Sequence, residues 1–181
     1  MLLSHKAFAR AGLIGNPSDG YFGKTISFII RNFCAEVTLE ETEELRIEPN
    51  ERDHSVFKGI DALAKDVRQF GYYGGIRLLK ASVKRFHDYC EREKIQLHDR
   101  NFTLRYSSNV PPQVGMAGSS AIITACWRAL MEFYQVVIPK HLLPSLVLSV
   151  ENDEPGIPAG LQDRVIKSYE GVVFIDFNRA S

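Results

Sequence analysis

Apolar residues in the first fifty positions fall into short runs of strand character. Lys6–Ile14 alternates weakly and gives way to Gly15-Asn16-Pro17-Ser18-Asp19-Gly20, a composition that predicts a strand entering a turn. Thr25–Ile30, Phe33–Leu39 and Leu45–Ile47 are rich in β-branched and aromatic residues and predict three more strands, arranged as an antiparallel meander. From Val56 the spacing changes. Val56, Ile60, Leu63, Ala64 and Val67 recur three and four apart, as one face of a helix does. After the break at Gly71-Tyr72-Tyr73-Gly74-Gly75, the residues Ile76, Leu79, Val83, Phe86 and Cys90 form a second helical stripe. Phe102–Tyr106 alternates again and predicts a strand. A helix with Ile122, Ile123, Cys126, Leu130 and Phe133 on its apolar face follows the small-residue loop Gly115–Ser120. Further helices are expected from about Pro139 to Glu151 and after Gly160. The continuous apolar run Val172–Phe177 predicts a buried strand. Strands first, then helices with one strand between them, define an α+β domain. Its sheet is mixed or antiparallel, with helices packed on it.

Composition narrows the class. The 181 residues suit one domain, and 45% hydrophobic with 24% charged residues is a globular, soluble composition. Lysine plus arginine equals aspartate plus glutamate at 22 each, so no general attraction to nucleic acid or an anionic membrane is expected. Cys34, Cys90 and Cys126 are widely spaced and form no metal-binding pattern, which fits reduced thiols in a cytoplasmic protein. The five histidines form no ligand set.

The chemistry concentrates in Pro111-Pro112-Gln113-Val114-Gly115-Met116-Ala117-Gly118-Ser119-Ser120-Ala121. Small residues let a ligand approach the backbone, and a helix starting there aims free N–H groups at an anion. Two hydroxyls can reach a phosphate oxygen or its magnesium. A plain helix cap at Ser119 or Ser120 is the competing reading. A second stretch, Ser18-Asp19-Gly20-Tyr21-Phe22-Gly23-Lys24-Thr25, ends like a P-loop. It has serine where that motif needs glycine, and strand-like residues follow Thr25, so it is rejected as one.

Three segments together resemble the GHMP kinase family of small-molecule kinases. Gly115–Ala121 is similar to the family's Gly-Leu-Gly-Ser-Ser-Ala motif, with one more small residue, as in its fucose and heptose kinase branch. Met116 stands for the usual leucine and Ala117 for the usual glycine. Ala9–Asp19 resembles the family's first strand and turn, and Ala159-Gly160-Leu161-Gln162-Asp163-Arg164 its later Gly-x-x-Asp segment. Asn16-Pro17-Ser18-Asp19, Tyr21–Ser27 and Gly71–Gly75 resemble the plant-type glucuronokinase branch.

The resemblance implies a ribosomal S5 domain 2-like fold over residues 1–181 and the use of ATP and Mg2+ to phosphorylate a sugar hydroxyl. The anomeric hydroxyl of glucuronate is the first candidate. By the resemblance, Pro112 and Gly115, Met116, Ala117, Gly118, Ser119, Ser120 and Ala121 hold the ATP phosphates, and Ser120 with Glu151 holds magnesium. Asp163 accepts or orients the sugar hydroxyl proton, and Arg10 pairs with it and stabilises the transferring phosphoryl group. Asn16 and Asp19 bind sugar hydroxyls, with Tyr72 or Tyr73 flanking the sugar. Each residue also has an architectural reading: Asp163 as a first-turn helix charge, Arg10 as an edge charge, and the tyrosines as packing groups.

Family members are about twice this length, with a C-terminal domain that would be absent here. The chain is therefore expected to be a truncated, split or degenerate form, weakly active or inactive alone, with a homodimer through the uncovered face. The alternatives are a non-catalytic binding or regulatory module of the same fold, and a heptose-phosphate or fucose kinase.

Overall fold

Two long N-terminal strands carry the architecture, because each extends past a point where the sequence suggests an end. β1 runs Leu2–Ile14 and β2 runs Lys24–Thr42 in the computed structural model, which describes residues 1–16, 18–50, 53, 59–61, 74–112, 114–153 and 159–178. β3 is Arg46–Ile47, β4 Asn101–Ser108 and β5 Val172–Asp176. The helices among the described residues are α1 (Gly75–Arg92), α2 (Gly118–Phe133), α3 (Leu143–Asp153) and α4 (Gln162–Tyr169). The helix expected from Val56 falls largely outside the described residues. So do Tyr72, Tyr73 and the Asp19 side chain.

The sheet is mixed. Its order is β1-β2-β4-β3, with β5 also paired to β2. β1 lies antiparallel along one edge of β2. On the other edge, β4 covers Ala35–Thr42 and β5 covers Lys24–Phe28, both antiparallel, while β3 runs parallel to β4. Thr25–Ile30 and Phe33–Leu39 are thus one 19-residue strand rather than the two expected. The polar pair Arg31-Asn32 that suggests a break is a bulge. Phe8 faces Cys34 while Ala9 faces Ile30, so Arg31, Asn32 and Phe33 are looped out of register. Asn109, just past β4, closes the bulge. Its Oδ1 accepts from Cys34 N at 2.7 Å and its Nδ2 donates to Asn32 O at 3.0 Å.

The bulge also divides the inner face of β2 by chemistry. Beyond it, Ala35, Val37 and Leu39 join Phe102, Leu104 and Tyr106 of β4 in an apolar core. α2 lies over this surface with Ile123, Cys126, Trp127, Leu130 and Phe133 buried. α1 adds Leu78, Leu79 and Phe86, and the Phe86 ring meets Trp127 edge-on at 5.6 Å. Before the bulge the inward positions are Thr25 and Ser27, buried hydroxyls. α1 begins where it does because Gly75 alone fits against Tyr106. A Cβ there would lie 2.1 Å from the tyrosine ring, and Gly75 N donates to Tyr106 Oη at 3.1 Å.

β5 corrects a second expectation. It is an edge strand with Val172 71% and Phe174 61% exposed, because helices cover only the opposite face. No helix among the described residues is long and apolar enough to cross a membrane.

Candidate functional site

β1 brings two functions to one residue. Arg10 N donates to Met116 O at 3.3 Å, which ties the glycine loop to the strand, and Arg10 Nε donates to Asp163 Oδ1 at 2.5 Å. The two side chains are 11% and 20% exposed, so the pair is poorly hydrated and Arg10 is no edge charge. Asp163 occupies the first turn of α4, where the helix field also favours a carboxylate.

A chain of charges continues from Asp163. Arg164 Nη1 donates to Asp163 Oδ2 at 3.3 Å and to Gly160 O at 2.8 Å, and Arg164 Nη2 meets Glu151 Oε2. Glu151, at the end of α3, is 1% exposed and the Arg164 side chain 3%. Removing Arg164 would strip the buried Glu151 carboxylate of this cation. Glu151 and Asp163 are therefore linked through one arginine, which the sequence reading left out.

The neighbours on α4 were also overlooked. Gln162 Nε2 donates to Ser27 Oγ at 2.5 Å, with both residues fully buried. Gly12 sits against this pair: a Cβ there would fall 2.7 Å from Asn16 Cβ and 3.7 Å from Gln162 Nε2. That contact places Asn16 beside the polar stretch of β2. Lys167, one turn after Asp163, is buried and donates to Phe8 O at 2.6 Å. Desolvation, opposed by Asp163 and reinforced by Arg10, Arg164 and Arg128, pushes its ammonium down to about 7. The Asp163–Lys167 spacing of i and i+4 was the signal available in the sequence, since such residues share a helix face.

The glycine loop delivers α2 with an uncapped start. Gly115 has φ +72°, with open space where a Cβ would be, and Ala117 takes the left-handed conformation at φ 58°, ψ 50°. No side chain caps α2, and its first turn holds no acidic residue. The first intrahelical bond runs from Ala121 N to Ala117 O at 3.2 Å, which leaves the N–H groups of Gly118, Ser119 and Ser120 outside the helical ladder. Ser120 is buried and its hydroxyl donates to Ala117 O at 3.0 Å, so it does not cap the helix. Gly118 packs 3.4 Å, as a Cβ, from Val110. Pro112, Met116, Ser119 and Ala121 belong to the same loop and first turn.

Among the described residues, the structure thus joins Arg10, Asp163, Glu151 and the loop through named bonds and sets Asn16 near Gln162. Asp19 lies in the single 3-10 turn Ser18–Tyr21, and β2 starts at Lys24 where a P-loop would need a helix.

The uncapped start of α2 and the buried carboxylate–guanidinium pair are thus both tied to Arg10, and a helix start of this kind can receive an anion. Comparison with known proteins makes this specific. Residues 77–171 match the GHMP kinases N terminal domain, and the chain belongs to the GHMP kinase family. It is 48% identical over 180 residues to glucuronokinase 1 of Arabidopsis thaliana, covering 98% of this chain and 49% of that protein. Among solved structures, it resembles the Lactococcus lactis galactokinase complexed with galactose at TM-score 0.76 and 16% identity, over 99% of this chain and 46% of that one. A D-glycero-D-manno-heptose 1-phosphate kinase from Bacteriodes thetaiotaomicron gives TM-score 0.74 at 23% identity, over 99% and 57% of the two chains. These two likenesses show the fold. The chain spans about half the length of the curated relatives it matches.

Proposed function

We propose that this chain is the phosphate-binding part of a sugar kinase that transfers a phosphoryl group from ATP to a sugar hydroxyl, with glucuronate the leading acceptor. One observation carries the reading: Arg10 bonds the glycine loop through its backbone and Asp163 through its guanidinium. A phosphate seated at the start of α2 is thereby tied to the carboxylate that would receive the acceptor's proton. The 48% identity to a glucuronokinase supports the choice of sugar.

In this reading the N–H groups of Gly118, Ser119 and Ser120 hold ATP phosphate oxygens. Asp163 orients the sugar hydroxyl and accepts its proton as the oxygen attacks the terminal phosphorus and the bond to ADP breaks. Arg10 steadies Asp163 and faces the charge that develops on the transferring group. Asn16 and Asp19 hold sugar hydroxyls, and Tyr72 or Tyr73 flanks the ring. The donor set fits magnesium. Ser120 uses its proton toward Ala117 O and keeps its oxygen lone pairs, and Glu151 offers a buried carboxylate that it would share with Arg164. Bound magnesium would neutralise phosphate charge.

Calorimetric titration with Mg-ATP, alone and then with glucuronate present, tests the proposal. Saturable Mg-ATP binding is expected, with Ser120→Ala weakening it about tenfold, or ~1.4 kcal/mol. A folded chain that takes up no Mg-ATP would overturn it.

A further inference from the structure

Among the described residues, the carboxylates near Lys167 are already taken up by guanidiniums. Arg10 and Arg164 meet Asp163, Arg164 also meets Glu151, and Glu170 is shared by Arg128 and, at 4.0 Å, Arg31. Each arginine touches at least one of those carboxylates. Lys167 touches none. Its one hydrogen-bond partner among the described residues is the neutral Phe8 carbonyl, at the strand position where the β1–β2 register shifts.

The groups facing it come from three elements: Asp163 and Arg164 on its own helix, Arg10 on β1, and Arg128 on α2. Arg128 also closes over the helix from outside, with Nη2 bonded to Lys167 O at 2.8 Å, and Nη1 to Lys6 O at 2.9 Å and Glu170 Oε1 at 3.0 Å. Lys167 is thus a buried amine among three fixed positive charges, one helical turn from the carboxylate proposed to act on the sugar hydroxyl. A proton on it adds a positive charge that no nearby carboxylate is free to meet. A polyphosphate arriving at the start of α2 would offset that charge.

We propose that Lys167 is the charge-compensating residue of the site, taking up a proton when the polyphosphate of Mg-ATP binds and releasing it when the nucleotide leaves. The inference rests on the nucleotide-binding reading above. It adds a proton that travels with ligand charge rather than with the sugar hydroxyl. One N–H bond forms at Nζ as a buffer acid in solution gives up its proton, and the reverse transfer accompanies release. Lys167 acts as a positioning residue: its ammonium, anchored on Phe8 O, holds α4 against β1 so that Asp163 stays opposite Arg10.

The test is the proton count of binding. Mg-ATP is titrated into the full chain at pH 8 in two buffers of different ionisation enthalpy, and the difference in heat gives the protons exchanged. The wild-type chain should take up about half a proton per nucleotide. K167M and K167R should bind with none, because the first cannot carry a proton and the second never loses one. Binding without uptake, or uptake that persists in both variants, would overturn the inference while leaving the nucleotide reading intact. Absence of any binding by the folded chain would overturn both. A second measurement does not depend on variants folding. The Lys167 side-chain resonance of the unliganded wild-type chain should titrate near neutrality and move upward with Mg-ATP. A midpoint in the ordinary lysine range near 10 sinks the proposal.

Discussion

Arg10 and Asp163 stand 153 positions apart in the chain, yet their side chains meet at 2.5 Å. The contact joins β1 to α4 and, through the Arg10 backbone bond to Met116, links the glycine loop to the carboxylate proposed to act on the sugar hydroxyl. Its energetics can be separated from its chemistry. D163N should lower stability by about 2 kcal/mol, because it leaves the poorly hydrated Arg10 without its carboxylate, and R10M by about 1 kcal/mol, because Arg164 still reaches Asp163. The double variant should lose clearly less than the sum, with a coupling of about 1–3 kcal/mol by urea unfolding. Simple additivity would mean that the two groups do not stabilise each other.

Ala117 holds a left-handed conformation that costs an L-residue about 1 kcal/mol. The loop tolerates the strain because α2 starts at the next residue and Met116 is held by Arg10 N. A117G should therefore raise the melting temperature by about 2–4 °C, as read by calorimetry. A fall would show that the alanine methyl makes a contact worth more than the strain.

Stability should depend on pH in a dome. The ammonium of Lys167 is held down to about 7 by burial, so between neutrality and the ordinary lysine range the unfolded chain binds more protons than the folded one. Stability then rises with pH, with a slope of at most about 1.4 kcal/mol per unit. The thiols act in the opposite sense. Burial pushes Cys90 up to about 11 and Cys126 up to about 12, so above about pH 9 the unfolded chain has released protons that the folded one keeps. Stability falls there. Thermal melts from pH 6.5 to 10 should show the rise below pH 9 vanish in K167M while the fall remains. A rising limb unchanged in K167M would remove Lys167 as its source.

Asn109 satisfies the strand bulge with two bonds that no other side chain replaces among the described residues. Water can reach the position, so N109A should cost only about 1 kcal/mol. N109D should cost more, since its carboxylate would face the Asn32 carbonyl without a donor. Urea midpoints distinguish the two, and an aspartate variant as stable as wild type would refute the bonding pattern.

Periodicity made β1, β4 and α1 legible, because each buries a regular set of positions against the core; α2 was legible from its length and apolar content, being buried almost all round. Periodicity misread β2 for a physical reason. Arg31 and Asn32 interrupt the apolar pattern, but a bulge closed by a side chain 77 positions away carries the strand through. β5 was misread as buried because an unbroken apolar run does not reveal whether both faces are covered. At the site, the glycine loop and the Gly-x-x-Asp segment stood out as local patterns. The Arg164–Glu151 contact, the Gln162–Ser27 bond and the Lys167 anchor did not, since each depends on elements that meet only after folding. For Lys167 the local pattern offered only its i, i+4 spacing from Asp163, which says nothing of burial.

Three bonds that tie α4 to the first two strands are long in sequence: Arg10 to Asp163 spans 153 residues, Gln162 to Ser27 spans 135 and Lys167 to Phe8 spans 159. During synthesis β1 leaves the ribosome well before α4. The first strand must therefore wait, with Arg10 lacking its carboxylate, until residue 163 has been made. The apolar core can settle around α1, β4 and α2 well before that moment, so a nascent chain stalled before Gln162 would hold a folded core and an unassembled site.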